Sequence, residues 1–431
     1  MAVHVPLSKR AVEEARTKMM AKQNILLLAD STPVVSPDMD MVLGCYYLTG
    51  IEADSKDLTK ERVFGNESEL LSSYESHQIG LRDLVTYRLN GEMIKTTTGR
   101  VMFNALLPEG FEFLNEQVDK TKIKKIIAKC LNKYDEDTVA TTLDNLKETG
   151  FKYATLSGFS VGMDDLVMHP GREGVIKEAE AKDEELMGSY YSGLITQTEM
   201  KKLSQQNWLE VTDRIADMTW SSYGTDNPLY QIEVSGARAV KNPTRQISGI
   251  RGLILDAQGK IVDLPLKSNF KLGLNSFEYF VGSKSTRKGL ADTALKTAES
   301  GYLTRRLVDV GQDLITTEED CGVTDKGMII RKSDERRLSF EERIFGRWTA
   351  EAIKDPKTGK TIVGQNEEIT PDLAEVIANS DVEEVRLRSP LTCSLQYGIC
   401  TKCYGYDLGK QKLVEEGVAV GVIAAQAMGE A

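Results

Sequence analysis

The feature that most limits the fold of this 431-residue chain is a proline-free stretch from Gly273 to Asp313. Its sequence is compatible with one helix over Ser276–Val310, interrupted only by isolated glycines. Such a helix would be ~50 Å long at 1.5 Å per residue, much longer than an average globular helix. Because each internal glycine costs ~1 kcal/mol relative to alanine, the helix either bends or has a neighbour packed on its backbone. Ordinary core packing around the glycines is the alternative.

Two other segments predict long helices, over Arg172–Tyr191 and Thr198–Tyr223, and both are rich in Glu, Lys, Ala and Met. The short sequence SGLITQ joins them, and a short connection places two long helices antiparallel. The pattern predicts a helical hairpin. It is either a coiled coil that projects from the body of the protein or a pair of ordinary packed helices.

Shorter elements of mixed type account for much of the remaining chain. Pro6–Ala21 predicts a helix that Ser8 can cap, and Asp119–Asn132 predicts a basic amphipathic helix. Met41–Gly50 predicts a buried strand or a short helix. The fold class is therefore α+β with many elements, organised around the long helix and the hairpin.

The composition is that of a folded protein of about three domains, at one domain per ~150 residues. Hydrophobic residues make up 41% of the chain, which excludes a disordered protein. No apolar run approaches the ~18 residues of a membrane span. The N-terminal sequence MAVHVPLSKR has no apolar segment after its basic pair, so it does not resemble a secretory signal. We expect a cytoplasmic protein without a membrane partner.

The charge is unevenly distributed along the chain. The net charge is −11, yet 238–306 holds 13 Lys and Arg against 5 Asp and Glu, a local net charge of +8. The rest of the chain therefore carries −19. A basic segment in an acidic chain is the pattern expected where one surface meets a polyphosphate, although chance drift of charge along a sequence is the alternative.

The sequence CSLQYGICTKC predicts a metal site, because its three cysteines have the spacing C-x6-C-x2-C. Zinc prefers four tetrahedral ligands, and a C-x2-C turn presents two thiolates to one ion. Cys321, in the acidic and turn-like sequence EEDCG, is the preferred fourth ligand, because Cys45 and Cys130 lie in apolar contexts typical of inert buried cysteines. Four thiolates leave no open position, so the site would be structural. The candidate ligands are Cys321, Cys393, Cys400 and Cys403; the histidines are His4, His77 and His169, and free thiols are the alternative.

Motifs for other chemistry are absent from the sequence. It contains no G-x-x-x-x-G-K-[ST], no G-x-S-x-G and no H-E-x-x-H motif. The acidic groups Asp164–Asp165 and Glu318–Glu319–Asp320 are interpreted as solvated acids.

Six sequence motifs, in order along the chain, resemble those of one family. They are MAVHVPL, DMVLGCYYLT, SGARAVKNPTRQISGIRGLILDAQGKIVDLPLKSNFKLGLNSFEYF, TRKGLADTALKTAESGYLTRRLVDVGQDL, SPLTCSLQYGICTKCYG and GVIAAQAMGE. The chain resembles a middle segment of the largest (beta-prime) subunit of bacterial multisubunit DNA-directed RNA polymerase. The resemblance runs in the family's order from Met1 to Ala431.

The resemblance implies roles for individual residues. The long helix is similar to the bridge helix that crosses the active-site cleft. Arg238 matches an arginine that reaches the triphosphate of the incoming nucleotide, although Ala239 and Pro243 depart from the family's pattern after SGAR, as Ser285–Thr286 does before Arg287. The four cysteines match the family's second zinc site. The positions that match the nucleic-acid-facing part of the bridge helix are Thr297 and Ala298, beneath the templating base, and Tyr302, Arg305 and Arg306, on the template-strand side.

The resemblance also implies a division of the chain into regions. These are the tail of the active-site barrel (1–65), the pore or secondary-channel region (66–170), the helical hairpin as the coiled coil at the channel rim (171–226), the continuation of the pore with the loop that packs on the bridge helix (227–275), the bridge helix (276–312), the cleft region with the zinc module (313–409) and the start of the trigger-helix region (410–431).

The activity implied is nucleotidyl transfer in DNA-directed RNA synthesis. The family's magnesium-binding aspartate triplet precedes MAVHVPL and its trigger loop follows GVIAAQAMGE, so we expect no catalytic residue within the chain and no activity from it alone. Magnesium would act only in the assembled enzyme. The chain is expected to be either a partial sequence or one part of a split subunit. The implied partners are the beta and alpha subunits, the remaining beta-prime segments, DNA template, RNA, nucleoside triphosphates and, at the hairpin, transcript-cleavage factors.

A second interpretation is a non-catalytic, zinc-stabilised binding or regulatory module derived from polymerase. Such a module would not need an intact bridge helix, yet Arg287–Asp309 keeps nearly all of the family's pattern.

Overall fold

Helices predominate and short strands separate them, in agreement with the predicted α+β class. The computed structural model describes residues 3–29, 31–51, 58–59, 62–256, 258–323, 326–334, 338–357 and 359–430. The chain divides into two compact units. We call Ser36–Asp292 the central unit, and Met1–Val35 together with Thr293–Ala431 the terminal unit.

The α-helices of the described residues are α1 (Lys9–Glu14), α2 (Asp40–Thr49), α3 (Glu67–Glu75), α4 (Thr98–Asn104), α5 (Lys120–Lys133), α6 (Glu136–Ser157), α7 (Arg172–Tyr191), α8 (Gln197–Ser221), α9 (Pro228–Val234), α10 (Lys241–Thr244), α11 (Ser276–Gly311), α12 (Phe340–Ile344), α13 (Pro371–Asn379), α14 (Thr401–Tyr404) and α15 (Val420–Gly429). The strands are β1 (Val63–Phe64), β2 (Leu84–Leu89), β3 (Glu92–Thr97), β4 (Thr316–Glu318), β5 (Met328–Arg331), β6 (Ile353–Lys354), β7 (Thr361–Val363), β8 (Glu384–Leu387), β9 (Ile399–Cys400), β10 (Tyr406–Asp407) and β11 (Lys412–Leu413). No helix in these ranges is long and apolar enough to cross a membrane.

The central unit combines a small sheet with packed helices. β2 pairs antiparallel with β3 and parallel with β1. Phe64, Leu70, Val85 and Val101 form a core beside this sheet. Met41–Gly50, for which the sequence allowed a strand or a short helix, is helical as α2. The basic amphipathic helix is α5, and it buries Ile123, Ile126, Ile127 and Cys130 on one face.

The two long helices predicted on either side of SGLITQ are α7 and α8. They share a core of apolar side chains from Val175 to Ala179 and from Trp208 to Ile215, closed by Ile250. Thr196 and Glu199 form a capping box that starts α8. No residue from Glu180 to Gln206 is buried, so the half of the pair around the connecting turn has no core of its own.

Helix α11 runs without interruption from Ser276 to Gly311, so the predicted long helix is present. Only Glu278 and Gly282 are buried among its 36 residues. Core packing is wrong as an explanation for Gly289 and Gly301, because apart from the adjoining residues and backbone of the helix itself no described atom lies within 4 Å of the place where a Cβ would be. Gly311, which ends the helix just beyond the predicted range, packs on the backbone of Gly421.

The terminal unit holds two cores. One forms around α12, α13 and the β5–β8 pair, with Ile330, Ile344, Ile369 and Ile377 inside it. The other surrounds the cysteines and includes Ile399, Val414 and Val420. The helix predicted over Pro6–Ala21 is shorter than expected: α1 is followed by a π-helical turn over Ala15–Met19. Neither element buries a residue, so no apolar face holds a longer regular helix together.

Candidate metal centre and an exposed helix face

Pairing between β4 and β9 brings distant cysteines together. Thr316 pairs with Ile399 and Glu318 with Cys400, in parallel, so the loop after β4 lies beside the end of β9. Cys321 is in that loop. Cys400 ends β9, and Cys403 follows one turn later in α14, where its backbone N–H donates to the Cys400 Sγ at 3.3 Å. Cys393 comes from the turn before β9.

The Sγ atoms of Cys321, Cys393, Cys400 and Cys403 all lie within 4.8 Å of one another. Tetrahedral zinc with Zn–S bonds of ~2.3 Å needs sulfur atoms ~3.8 Å apart, so a small contraction fits the four thiolates to the ion. Cys45 and Cys130, the other candidates for the fourth ligand, are buried in the central unit. The four cysteines are thus a group that could hold a metal ion, and four sulfur ligands leave no position on the ion for a substrate.

A charged network that the sequence did not predict supports this cluster. The guanidinium of Arg388 donates to Asp320 Oδ1 at 2.8 Å, and its side chain is 1% exposed. The ammonium of Lys402 contacts the second oxygen of Asp320 at 3.0 Å. The interpretation of Asp320 as a solvated acid is therefore wrong, because it is the shared partner of two cations.

The network shifts the ionisation of its members. Burial raises the pKa of Asp320, but hydrogen bonds from Arg388, Gly322 and Lys402 outweigh that effect and hold the pKa well below its usual range. Burial also acts to raise the pKa of Cys321, while hydrogen bonds from the Ser394 and Val323 backbone lower it to about 6. Burial raises the pKa of Cys403. One thiol of the cluster is thus more easily ionised than its buried neighbour even without a cation.

The part of α11 in the terminal unit has two unlike faces. One face contacts α15: the hydroxyls of Ser300 and Thr304 donate to the carbonyl of Gly429 at 2.8 and 3.0 Å. The face turned away exposes Ala298, Tyr302 and Arg305, which fall within ~60° of one another at 100° per residue. Thr297 and Arg306 are also exposed, and the Arg306 guanidinium lies 4.5 Å from the centre of the Tyr302 ring. Small, aromatic and cationic side chains therefore share one open surface.

Arg238 lies in the turn after α9, in the central unit. The turn is fixed from its backbone: Gly236 has a φ of 74°, and the buried Ser235 hydroxyl accepts from the Ala237 N–H at 3.3 Å. The side chain of Arg238 is exposed, and no described residue accepts a hydrogen bond from its guanidinium. Arg238 is therefore not needed to anchor this turn.

Two family models match the sequence. RNA polymerase Rpb1, domain 3, matches residues 24–166, and RNA polymerase Rpb1, domain 5, matches residues 273–431. DNA-directed RNA polymerase subunits beta′ are similar over the whole chain: that of Dehalococcoides mccartyi (strain CBDB1) is 43% identical, that of Moorella thermoacetica 42% and that of Aquifex aeolicus 41%. The chain belongs to the beta′ family.

The chain covers 33%, 37% and 28% of these three beta′ subunits, about a third of their length. The cysteine cluster and α11 both lie within the range matched by domain 5, whereas Arg238 lies between the two matched ranges. The sequence patterns did not identify Arg388 and Asp320 as members of the cluster. The available signal was their position, since Asp320 precedes Cys321 directly and Arg388 lies five residues before Cys393.

Proposed function

We propose that this chain forms part of the catalytic subunit of a DNA-directed RNA polymerase. The reaction would be transfer of a nucleoside monophosphate from its triphosphate to an RNA 3′-hydroxyl by a two-metal mechanism. The observation that carries the proposal is identity above 40% to beta′ subunits along the entire chain. The partners would be the other polymerase subunits, DNA template, RNA and nucleoside triphosphates.

Helix α11 would act as the bridge helix. A helix with only two buried residues in 36 gains little stability from burial within its own chain. Besides the surface of Ala298, Tyr302 and Arg305, it exposes four large apolar side chains, Phe277, Phe280, Leu290 and Leu295. Other parts of a polymerase would cover these side chains. The open surface of Ala298, Tyr302 and Arg305 would face the template, because small residues let a base pair pass and a guanidinium compensates phosphate charge.

Arg238 would contact the triphosphate of the incoming nucleotide. Its exposed guanidinium has no acceptor among the residues that the structure describes, so it is available for bidentate, charge-assisted bonds to phosphate. The helices α7 and α8 would form the coiled coil at the rim of the secondary channel. Their half around the connecting turn, in which no residue is buried, would present a surface to a cleavage factor.

The cysteine cluster would hold one structural zinc ion. Cys321, Cys393, Cys400 and Cys403 would be the ligands, and the ion would join segments of the terminal unit rather than take part in phosphoryl transfer. Magnesium would be bound elsewhere in the assembled enzyme.

Co-expression with the other subunits and the remaining beta′ segments tests the proposal. We expect the chain to co-purify with them and to support primer extension on a DNA template, whereas the 431-residue chain alone adds no nucleotide. A non-catalytic module derived from polymerase predicts a different result: binding to one or more subunits without restoring synthesis. Failure to co-purify with any subunit would contradict both interpretations.

A further inference from the structure

Arg388 contacts three of the four sulfur atoms of the cluster and leaves the fourth. Its Nη2 lies 3.3 Å from the Sγ of Cys321, 3.5 Å from that of Cys400 and 3.4 Å from that of Cys403. A point nearly equidistant from three corners of a tetrahedron lies on the axis through that face and the fourth corner. The guanidinium therefore caps one face, and Cys393 is the opposite corner.

The guanidinium is held firmly in this position. Its Nη1 donates to Asn366 Oδ1 at 2.6 Å, and its Nη2 to Asp320 Oδ1 at 2.8 Å. Arg388 follows β8 directly, and its backbone N–H donates to the carbonyl of Trp348 at 2.7 Å. Because hydrogen bonds hold both the backbone and the guanidinium of Arg388, its side chain cannot rotate to reach Cys393.

Cys393 faces a different environment. It lines an open cavity of about 480 Å³ together with Lys326 and Arg386. The other three cysteines do not line this cavity, and Cys400 and Cys403 are buried. Small molecules can therefore approach the cluster from the side of Cys393, past two cationic side chains.

Four thiolates on a divalent cation carry a net charge of −2. The sulfur atoms therefore keep negative charge, and hydrogen bonds to them affect how readily they react. A cationic N–H donor close to a thiolate lowers its nucleophilicity. Because the two hydrogens of Nη2 also serve Asp320, the three sulfur atoms share its remaining donor capacity, and the positive charge acts on all three. We propose that Arg388 is a positioning residue which protects three sulfur atoms and directs attack by thiol-reactive electrophiles to Cys393. The inference rests on the proposed metal site.

The chemistry can be written for iodoacetamide as the probe. The Cys393 thiolate attacks the CH₂ carbon, an S–C bond forms as the C–I bond breaks, and iodide leaves. The product is a neutral thioether, which is a much weaker ligand than a thiolate, so the metal ion is left with three strong ligands and is released more easily.

The experiment uses the full chain, with its metal content measured first. Substoichiometric iodoacetamide is added, peptide mapping gives the rate at each cysteine, and a zinc indicator follows release. The decisive comparison is Cys393 with Cys321, because both side chains are half-buried and burial does not separate them. We expect Cys393 to react about tenfold faster than Cys321, and zinc release to follow the Cys393 rate.

Arg388→Met should remove the selectivity by raising the rate at Cys321 toward that at Cys393. Arg388→Lys, which keeps the charge without the planar fork, should give an intermediate ratio, and it replaces Arg388→Met if that variant does not fold. A protein without bound metal would overturn the metal site itself. One equivalent of metal with equal rates at Cys321 and Cys393, or a ratio unchanged in both variants, would overturn only the role of Arg388.

Discussion

Gly421 lies so close to Gly311 that a Cβ on Gly421 would be 2.0 Å from the Gly311 carbonyl oxygen. This approach joins the end of α11 to the start of α15 and leaves no room for a side chain. We expect Gly421→Ala to lower the free energy of unfolding by about 1–3 kcal/mol, the usual range for overpacking. Denaturant unfolding of the isolated chain measures the change.

Gly301→Ala is the matched control on the same helix. Apart from the adjoining residues and backbone of the helix itself, no described atom lies within 4 Å of a Cβ at this position, so alanine should raise stability by up to ~1 kcal/mol through its higher helix propensity. Gly421→Ala with an unchanged unfolding midpoint would show that the two helices separate easily.

The pair of Asp320 with Arg388 should contribute measurably to stability. Asp320→Asn leaves a nearly fully buried guanidinium without its carboxylate partner, and we expect a loss of about 1–3 kcal/mol. Glu319→Gln is the control: its carboxylate is 73% exposed and lies 3.9 Å from Lys402, so the change should cost less than ~0.5 kcal/mol. Equal effects of the two substitutions would contradict the network.

Metal retention distinguishes the cysteines. The chain should bind one equivalent of zinc, and Cys321→Ser should lose the metal to a chelator at much lower concentration than the unmodified chain. Cys130→Ser, in the buried face of α5, should retain it. Full retention in Cys321→Ser would mean that another group supplies the fourth ligand.

Glu278 should make stability depend on acid pH. Burial raises the pKa of Glu278, but hydrogen bonds from Ser268 and Asn275 lower it overall. The stabilisation is therefore complete above the unfolded pKa of ~4.3 and is lost as the pH falls through the lower folded pKa. Glu278→Gln should cost about 1–3 kcal/mol at pH 7, and the difference should shrink below pH ~4.

Glu299→Gln, at an exposed glutamate of the same helix, is the control for that experiment. It should change stability by less than ~0.5 kcal/mol at either pH. If Glu278→Gln unfolds with the same pH profile as the unmodified chain, the glutamate does not anchor the start of α11.

Arg238 can be tested in the assembled enzyme. Arg238→Ala removes a charge-assisted contact to the triphosphate, so it should reduce kcat/KM for all four nucleotides by about 10- to 150-fold. A rise in KM alone would indicate contact with the bound nucleotide, and a fall in kcat as well would indicate contact that strengthens in the transition state. Affinity for the template should not change. An Arg238→Ala enzyme with unchanged constants would refute the assignment.

Local patterns predicted α11 and three of the cysteines. The absence of proline is a property of the stretch itself, and the C-x6-C-x2-C spacing lies within one turn, the short strand β9 and the helix α14 that follows it. Cys321 was identified only by its context, since β4 and β9 pair across about 80 residues of sequence. Asp320 and Arg388 lie near the cysteines in sequence, but their contact with each other depends on the β4–β9 and β5–β8 pairings, so the local sequence marks their positions without showing that they meet.

The length of chain between Cys321 and Cys393 has a consequence for unfolding. The segment between them contains β5 to β8, α12 and α13, with an apolar core of its own. A metal ion held at both ends would act as a cross-link that closes a loop of about 70 residues, and closing such a loop removes roughly 4 kcal/mol of chain entropy from the unfolded state. Chelation should therefore weaken this inserted subdomain as a whole, including parts that do not touch the ion.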